Sequence, residues 1–81
     1  PRVYGAYMDL QRMIRGGEYK LIVYPRAGVR RLFHLEEDPD EIIDLAGRGD
    51  QQERVDRMFL QLKELMTEMG DTLDLDSFEW F

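Results

Sequence analysis

The chain of 81 residues contains no cysteine, one histidine and one serine. Without cysteine it has no disulfide framework, no thiol nucleophile and no cysteine-ligated zinc site. His34 has no second histidine or cysteine with which to complete a zinc site, and Ser77 lacks the Gly-x-Ser-x-Gly elbow of serine hydrolases. We therefore predict no catalytic residue, no metal site and no cofactor in these residues.

Long apolar runs are also missing. No stretch approaches the roughly 18 apolar residues of a membrane span, so we expect no membrane partner. The chain starts Pro1-Arg2, without methionine or a targeting pattern. This start favours a fragment of a longer protein.

The first part of the chain has few acidic residues, and the second part has few basic residues. The net charge is −6, but residues 1–31 hold seven basic and two acidic residues, whereas residues 32–81 hold four and fifteen. An acidic chain is a poor partner for nucleic acid. The simplest interpretation is that the two halves complement each other. The alternative is a local anion site at Arg12, Arg15 and Lys20.

Residues 18–25 predict the strand around which the chain is organised. Tyr19, Leu21 and Val23 point to one side of it, and Ile22 and Tyr24 point to the other. Both faces are largely apolar, which is typical of a strand that is covered on both sides. Each face of this strand therefore needs a packing partner, either from the chain itself or from another molecule.

Gly16-Gly17 predicts a two-residue hairpin between residues 12–15 and the central strand, because primed turns need positive φ. Residues 3–15 fit one extended segment, although a short helix over 8–14 also fits the pattern. Pro25 ends the central strand, and residues 29–36 predict a further strand. We thus expect an α+β fold whose small antiparallel sheet, within residues 3–36, is a meander of three to four strands.

Two helices are predicted to follow. Asp38, Pro39 and Glu41 resemble a capped helix start, which predicts a short helix over residues 39–46. Asp50 and Glu53 begin a long helix over residues 51–69 that packs on one face of the sheet, with Gly70 as its left-handed cap. Its apolar stripe comprises Val55, Met58, Phe59, Leu62, Leu65, Met66 and Met69. The acidic, aromatic tail of residues 71–81 is expected to dock on the domain in part.

Three stretches of the chain occur in a specific order: residues 12–25 (RMIRGGEYKLIVYP), 32–41 (LFHLEEDPDE) and 44–47 (DLAG). Together with the helix up to about Gly70, they resemble the C-terminal region of type I, formylglycine-dependent sulfatases. That family usually has Asp at the position of His34 and often Asn at the position of Asp44. Both are tolerable structural substitutions.

The resemblance implies a small sheet with a packed helix, attached to a large α/β catalytic domain. That parent would be a sulfuric ester hydrolase, often periplasmic or secreted, using calcium and a formylglycine that lie outside this chain. This subdomain would support the catalytic domain, its main partner, and Tyr7, Gln11 and Arg12 are candidates for the rim of the substrate pocket. The competing hypothesis is a free-standing interaction module or a dimerisation domain that pairs with a second copy of itself.

Overall fold

The computed structural model describes residues 2–8 and 10–80, and its main element is a four-stranded antiparallel sheet. The strands lie side by side in sequence order: β1 (Arg2–Tyr7), β2 (Gln11–Gly16), β3 (Tyr19–Tyr24) and β4 (Val29–His34). One long helix, α1 (Gln52–Glu68), follows the sheet. Single 3-10 turns occupy Pro25–Ala27, Gly49–Gln51 and Leu75–Ser77. The predicted α+β class and the meander are confirmed.

The β2–β3 hairpin forms where the two glycines predict it. Ile14 pairs with Leu21, and Gly16 pairs with Tyr19, so the loop consists of residues 17 and 18. Gly17 has a φ of 59°, a conformation that glycine adopts without a steric penalty. The paired glycines therefore mark the turn correctly, although the loop is shifted by one residue.

The N-terminal segment is not one extended run. It folds into the β1–β2 hairpin, in which Tyr7 pairs with Gln11 and the Leu10 amide donates to the Tyr7 carbonyl at 3.1 Å. Met8 takes a φ of 51° in this turn. The helical alternative for residues 8–14 is wrong, and Asp9 lies outside the described residues.

The core lies between α1 and one side of the sheet, which we call the helix face. Ile14, Leu21, Val23 and Leu32 from three strands are fully buried there. They pack against five side chains of α1: Val55, Met58, Phe59, Leu62 and Met66. Burying each such side chain contributes about 1.5–3 kcal/mol before the entropy of ordering is subtracted. The predicted stripe is thus confirmed for most of its length, but Leu65 is only partly buried and Met69 is exposed.

The end of α1 follows its sequence signal closely. Gly70 has a φ of 75°, its amide donates to the Thr67 carbonyl, and the Asp71 amide donates to the Met66 carbonyl. These two bonds form the motif in which a left-handed glycine closes a helix. The start of α1 differs from the predicted capped start, because a 3-10 turn precedes the helix. Arg48 precedes that turn and Gln51 precedes α1, and neither side chain makes a capping hydrogen bond.

Residues 39–46 do not form the predicted short helix. Asp38 does accept from two downstream amides, those of Ile42 at 3.1 Å and Ile43 at 2.9 Å. Glu41, however, has a φ of 55°, which a right-handed helix cannot accommodate. Ile42 and Ile43, the supposed apolar face, are exposed. The capping signal therefore belongs to a loop that the Asp38 carboxylate holds together.

This loop closes one edge of the sheet. The Leu45 amide donates to the Leu32 carbonyl at 2.8 Å, and the Leu32 amide donates to Asp44 Oδ1 at 2.9 Å. The outer backbone groups of Leu32 in the edge strand β4 are thereby satisfied. Such cover protects an edge strand from pairing with another chain.

The tail docks on the domain, as predicted. Leu75 is 2% exposed and belongs to the core, and the Trp80 indole packs edge-on against Phe59 with ring centroids 5.1 Å apart. Trp80 Nε1 donates to the Leu75 carbonyl at 2.9 Å. The tail contacts α1, so it does not cover the opposite side of the sheet.

That opposite side, which we call the second face, is partly covered by the chain itself. Ile22 and Phe33 are buried there. Glu41 reaches across from the loop and pairs with Lys20, with Nζ and Oε2 3.1 Å apart. The prediction that the central strand is apolar on both faces is confirmed, and part of the second cover is the loop after β4.

Candidate functional site

A buried charge cluster ties the start of the sheet to the end of the helix. Arg12 Nε lies 2.6 Å from Asp71 Oδ2, and Arg12 Nη2 donates to Asp71 Oδ1 at 3.3 Å. The Tyr4 hydroxyl donates to the same carboxylate. Arg12 Nη1 also donates to the carbonyls of Met8 and Gln11. Arg12 is only 5% exposed, so this is a satisfied ion pair within the domain.

This environment shifts two pKa values in opposite directions. The hydrogen bond from Arg12 lowers the pKa of Asp71 from 3.8 to about 2, although burial works against the shift. Burial, together with the bond to Asp71, raises the pKa of Tyr4 from 10.0 to about 12. Around neutral pH the cluster therefore holds a carboxylate, a guanidinium and a neutral phenol, which is a stabilising arrangement.

The three predicted rim residues do not share one surface. Tyr7 and Gln11 are paired across β1 and β2, which places them on the second face. Arg12, the next residue, points to the helix face and into the ion pair with Asp71. The structure thus brings Tyr7 and Gln11 together and separates Arg12 from them.

The predicted anion cluster is divided in the same way. Arg15 and Lys20 are paired across β2 and β3 on the second face, whereas Arg12 lies on the helix face. Lys20 is neutralised by Glu41. These three residues therefore do not converge on one anion.

Exposed apolar side chains concentrate at the first hairpin. Eight large hydrophobic residues in the described part of the chain are exposed, and four of them lie within residues 3–10. We call this set the N-terminal edge: Val3, Tyr7, Met8 and Leu10. Within the described residues β1 pairs only with β2, so its outer backbone groups border this set. Apolar surface next to an uncovered strand edge is typical of a docking surface.

A groove of about 540 Å³ runs along the second face on the β3–β4 side. Ile22 and Phe33 form its floor, while Tyr24, Val29 and Arg31 line its sides. The Arg31 guanidinium lies over the Tyr24 ring, 5.8 Å from the centroid. Glu41 also lines the groove, so it is largely apolar with one cation and one carboxylate among its lining side chains, which suits a packing contact with a protein surface.

His34 serves the local structure. Its Nδ1 accepts from the Glu37 amide at 3.2 Å, and its Nε2 lies 3.1 Å from Glu18 Oε2. A hydrogen bond between Glu18 and Glu36 lowers the pKa of Glu18 and raises that of Glu36.

In residues 2–8 and 10–80, no three histidine or acidic side chains are grouped so as to hold a metal ion. Nor does any helix in those ranges have the length and hydrophobicity needed to cross a bilayer.

No local sequence pattern predicts the cluster formed by Tyr4, Arg12 and Asp71. Asp71 follows the helix-capping glycine and accepts from the Leu73 amide at 3.1 Å, which is an ordinary local role. Its ion pair with Arg12 spans 59 residues. A charge pair at that separation has no local pattern, so only the folded topology reveals it.

No protein-family model matches the chain, and no curated protein matches it.

Proposed function

We propose that this chain is an accessory C-terminal subdomain of a larger hydrolase, of the kind that its resemblance to type I sulfatases implies. It contributes structural support and a docking surface, and the chemistry belongs to the parent's catalytic domain. The observation that carries the proposal is the exposed N-terminal edge, which presents Val3, Tyr7, Met8 and Leu10 beside an uncovered strand.

The rest of the domain is consistent with a supporting role. Its core is complete on the helix face, and the β4 edge is closed by the loop through Asp44 and Leu45. Half of the large hydrophobic side chains that are exposed in the described residues lie at the N-terminal edge, and the second-face groove adds further apolar surface. A catalytic domain seated there would bury both. Tyr7 and Gln11 would then lie at the boundary between the two domains, where a pocket rim is formed.

The direct test is the reading frame that contains this chain. We expect it to continue upstream of Pro1 into a domain with the Cys- or Ser-x-Pro-x-Arg signature. The longer protein should hydrolyse an aryl sulfate, and the 81-residue chain should not. Turnover by the 81 residues alone, or an upstream sequence without the signature, would refute the proposal.

The uncovered β1 edge also supports a second candidate, a homodimer. Two copies of β1 could pair antiparallel about a two-fold axis and continue the sheet. Sedimentation of the 81-residue protein distinguishes the two ideas. A dimer that Met8→Ser with Leu10→Ser converts to a monomer supports self-association, and a monomer at high micromolar concentration rejects it.

A further inference from the structure

A second cleft, on the helix side of the molecule, is lined by arginines. It measures about 290 Å³ and lies between the start of β1, the β2–β3 loop and the middle of α1. Its lining includes three guanidinium side chains and two groups that shape the wall: Arg2, Arg54, Arg57, Tyr19 and Gln61. No acidic residue lines it. This is unusual in a chain that has 17 acidic and 11 basic residues.

The three arginines make few ion pairs or hydrogen bonds with other side chains that the structure describes. Among the residues that the structure describes, neither Arg2 nor Arg57 takes part in an ion pair or a side-chain hydrogen bond. Arg54 donates through Nε to Gln51 at 3.1 Å, and its guanidinium carbon lies 3.8 Å from the centre of the Tyr19 ring. The stacked ring fixes the orientation of the Arg54 fork.

The acidic residue next to Gly17 in the β2–β3 loop makes its hydrogen bonds elsewhere. Glu18, on the β2–β3 loop, hydrogen bonds to His34 and Glu36, and Arg54 makes only a minor contribution to its lowered pKa. The mutual repulsion of the three cations is therefore not balanced by a carboxylate that lines the cleft. A ligand with two negative charges would relieve it.

We propose that this cleft binds a compact tetrahedral oxyanion, namely a phosphate or sulfate group, either free or as a monoester. Planar guanidinium forks bind the oxygen atoms of such groups in pairs, and the Gln61 amide provides a further donor. The loop glycine, Gly17, has no other atom within 4 Å of the position that a Cβ would take, so the loop side of the cleft is open to a ligand. The site is separate from the docking surface and does not depend on the accessory role.

The test is a titration of the isotope-labelled 81-residue protein, followed by the backbone amide resonances. Sodium phosphate and sodium sulfate are added at constant ionic strength, with chloride as the balancing anion. We expect saturable shifts at Gly17, Tyr19 and Gln61. Arg57→Gln should weaken binding about tenfold, because a hydrogen bond to a charged group is lost.

Arg26→Gln is the matched control, since it removes one exposed positive charge that does not line the cleft. Its affinity should equal that of the wild type. Arg54→Lys keeps the charge and removes the fork, and it should also weaken binding. Shifts that do not saturate, or an equal loss of affinity in the Arg26 and Arg57 variants, would overturn the site.

Phenyl phosphate identifies the source of the anion. Tighter binding than inorganic phosphate indicates a monoester, and equal binding indicates the free ion.

Discussion

Asp44 shows how one oxygen atom can fix a loop. Its Oδ1 accepts from two backbone amides, Leu32 at 2.9 Å and Ala46 at 2.9 Å. Both bonds use the same acceptor, and neither requires a negative charge. Asparagine offers an equivalent oxygen with two lone pairs. Asparagine should therefore hold the loop at this position as well.

A pair of substitutions at this position tests the explanation. Asp44→Ala should lower the free energy of unfolding by about 1–3 kcal/mol, because two amides lose their acceptor. Asp44→Asn should change it by less than about 1 kcal/mol. Urea denaturation measures both. Equal losses in the two variants would show that the charge, and not the acceptor atom, holds the loop.

Asp71 makes the free energy of unfolding depend on pH in the acidic range. Its pKa in the folded protein, about 2, lies below its ordinary value of 3.8, so folding favours the ionised form. The resulting stabilisation is fully present above about pH 4 and is lost as the pH falls towards 2. We expect a loss of about 1–2 kcal/mol over that interval.

Asp71→Asn provides the comparison for that acid limb. The variant should be less stable than the wild type at pH 7, and the difference should shrink as the pH falls to 2. Thermal unfolding at several pH values measures it. A constant difference between the two proteins at every pH would contradict the assignment. Glu68→Gln, which alters an exposed acid outside the Tyr4, Arg12 and Asp71 cluster, is the control.

At the scale of elements, an aromatic contact holds the end of the tail. Trp80 packs against Phe59, and the Arg30 guanidinium lies 5.7 Å from the Trp80 ring centre and 5.1 Å from that of Phe59. The indole also donates to the Leu75 carbonyl. Tail, helix and β4 therefore meet at this point.

Trp80→Ala should release the last residues of the tail and lower the free energy of unfolding by about 1–3 kcal/mol, less than a fully buried aromatic would cost. Hydrogen exchange should accelerate at the Ser77 and Phe78 amides, which close the 3-10 turn. Glu79→Ala, next to it but exposed, should have little effect. Unchanged exchange in the Trp80 variant would mean that Leu75 alone anchors the tail.

The elements differ in how well the sequence predicts them. Gly16-Gly17, Pro25 and Gly70 need backbone geometries that few residues adopt, so the strand and helix ends at these positions were predicted within one or two residues. The loop over 39–46 was misread, because a carboxylate that caps a loop has the same local sequence as one that caps a helix. Only the positive φ of Glu41 separates the two, and glutamate gives no warning of it.

The candidate surfaces were predictable only in part. The alternation along residues 18–25 correctly indicates a second apolar face. The arginine cleft was not foreseen, since Arg2 lies more than 50 residues from Arg54 and Arg57. The spacing of three between the latter two does place them near each other on α1. The register that carries Arg2 to the hairpin end depends on the unexpected β1–β2 turn.

At the scale of the whole molecule, docking should be measurable as a difference between two proteins. Tyr7→Asp introduces a charge at a side chain that is 60% exposed, so it should change the stability of the 81-residue chain by no more than about 0.5 kcal/mol. In a longer protein that buries this edge, the same change should cost about 1–3 kcal/mol. Calorimetry of both proteins gives the comparison.

Leu60→Asp is the matched control, because Leu60 is 55% exposed on α1, away from the N-terminal edge. It should have a similar effect in the short and the long protein. If Tyr7→Asp also affects the two equally, the N-terminal edge is not the contact.

The strand order has a consequence for the sequence of events in folding. Every strand pairs with its neighbour in the chain, so each hairpin closes over a loop of only a few residues. The Arg12–Asp71 pair, in contrast, spans 59 residues and forms only when the helix end reaches the first strands. We expect the meander to assemble first and the Arg12–Asp71 ion pair to form last. Unfolding would then begin with the breaking of this ion pair, so the pair would set the unfolding rate and thus the lifetime of the folded molecule.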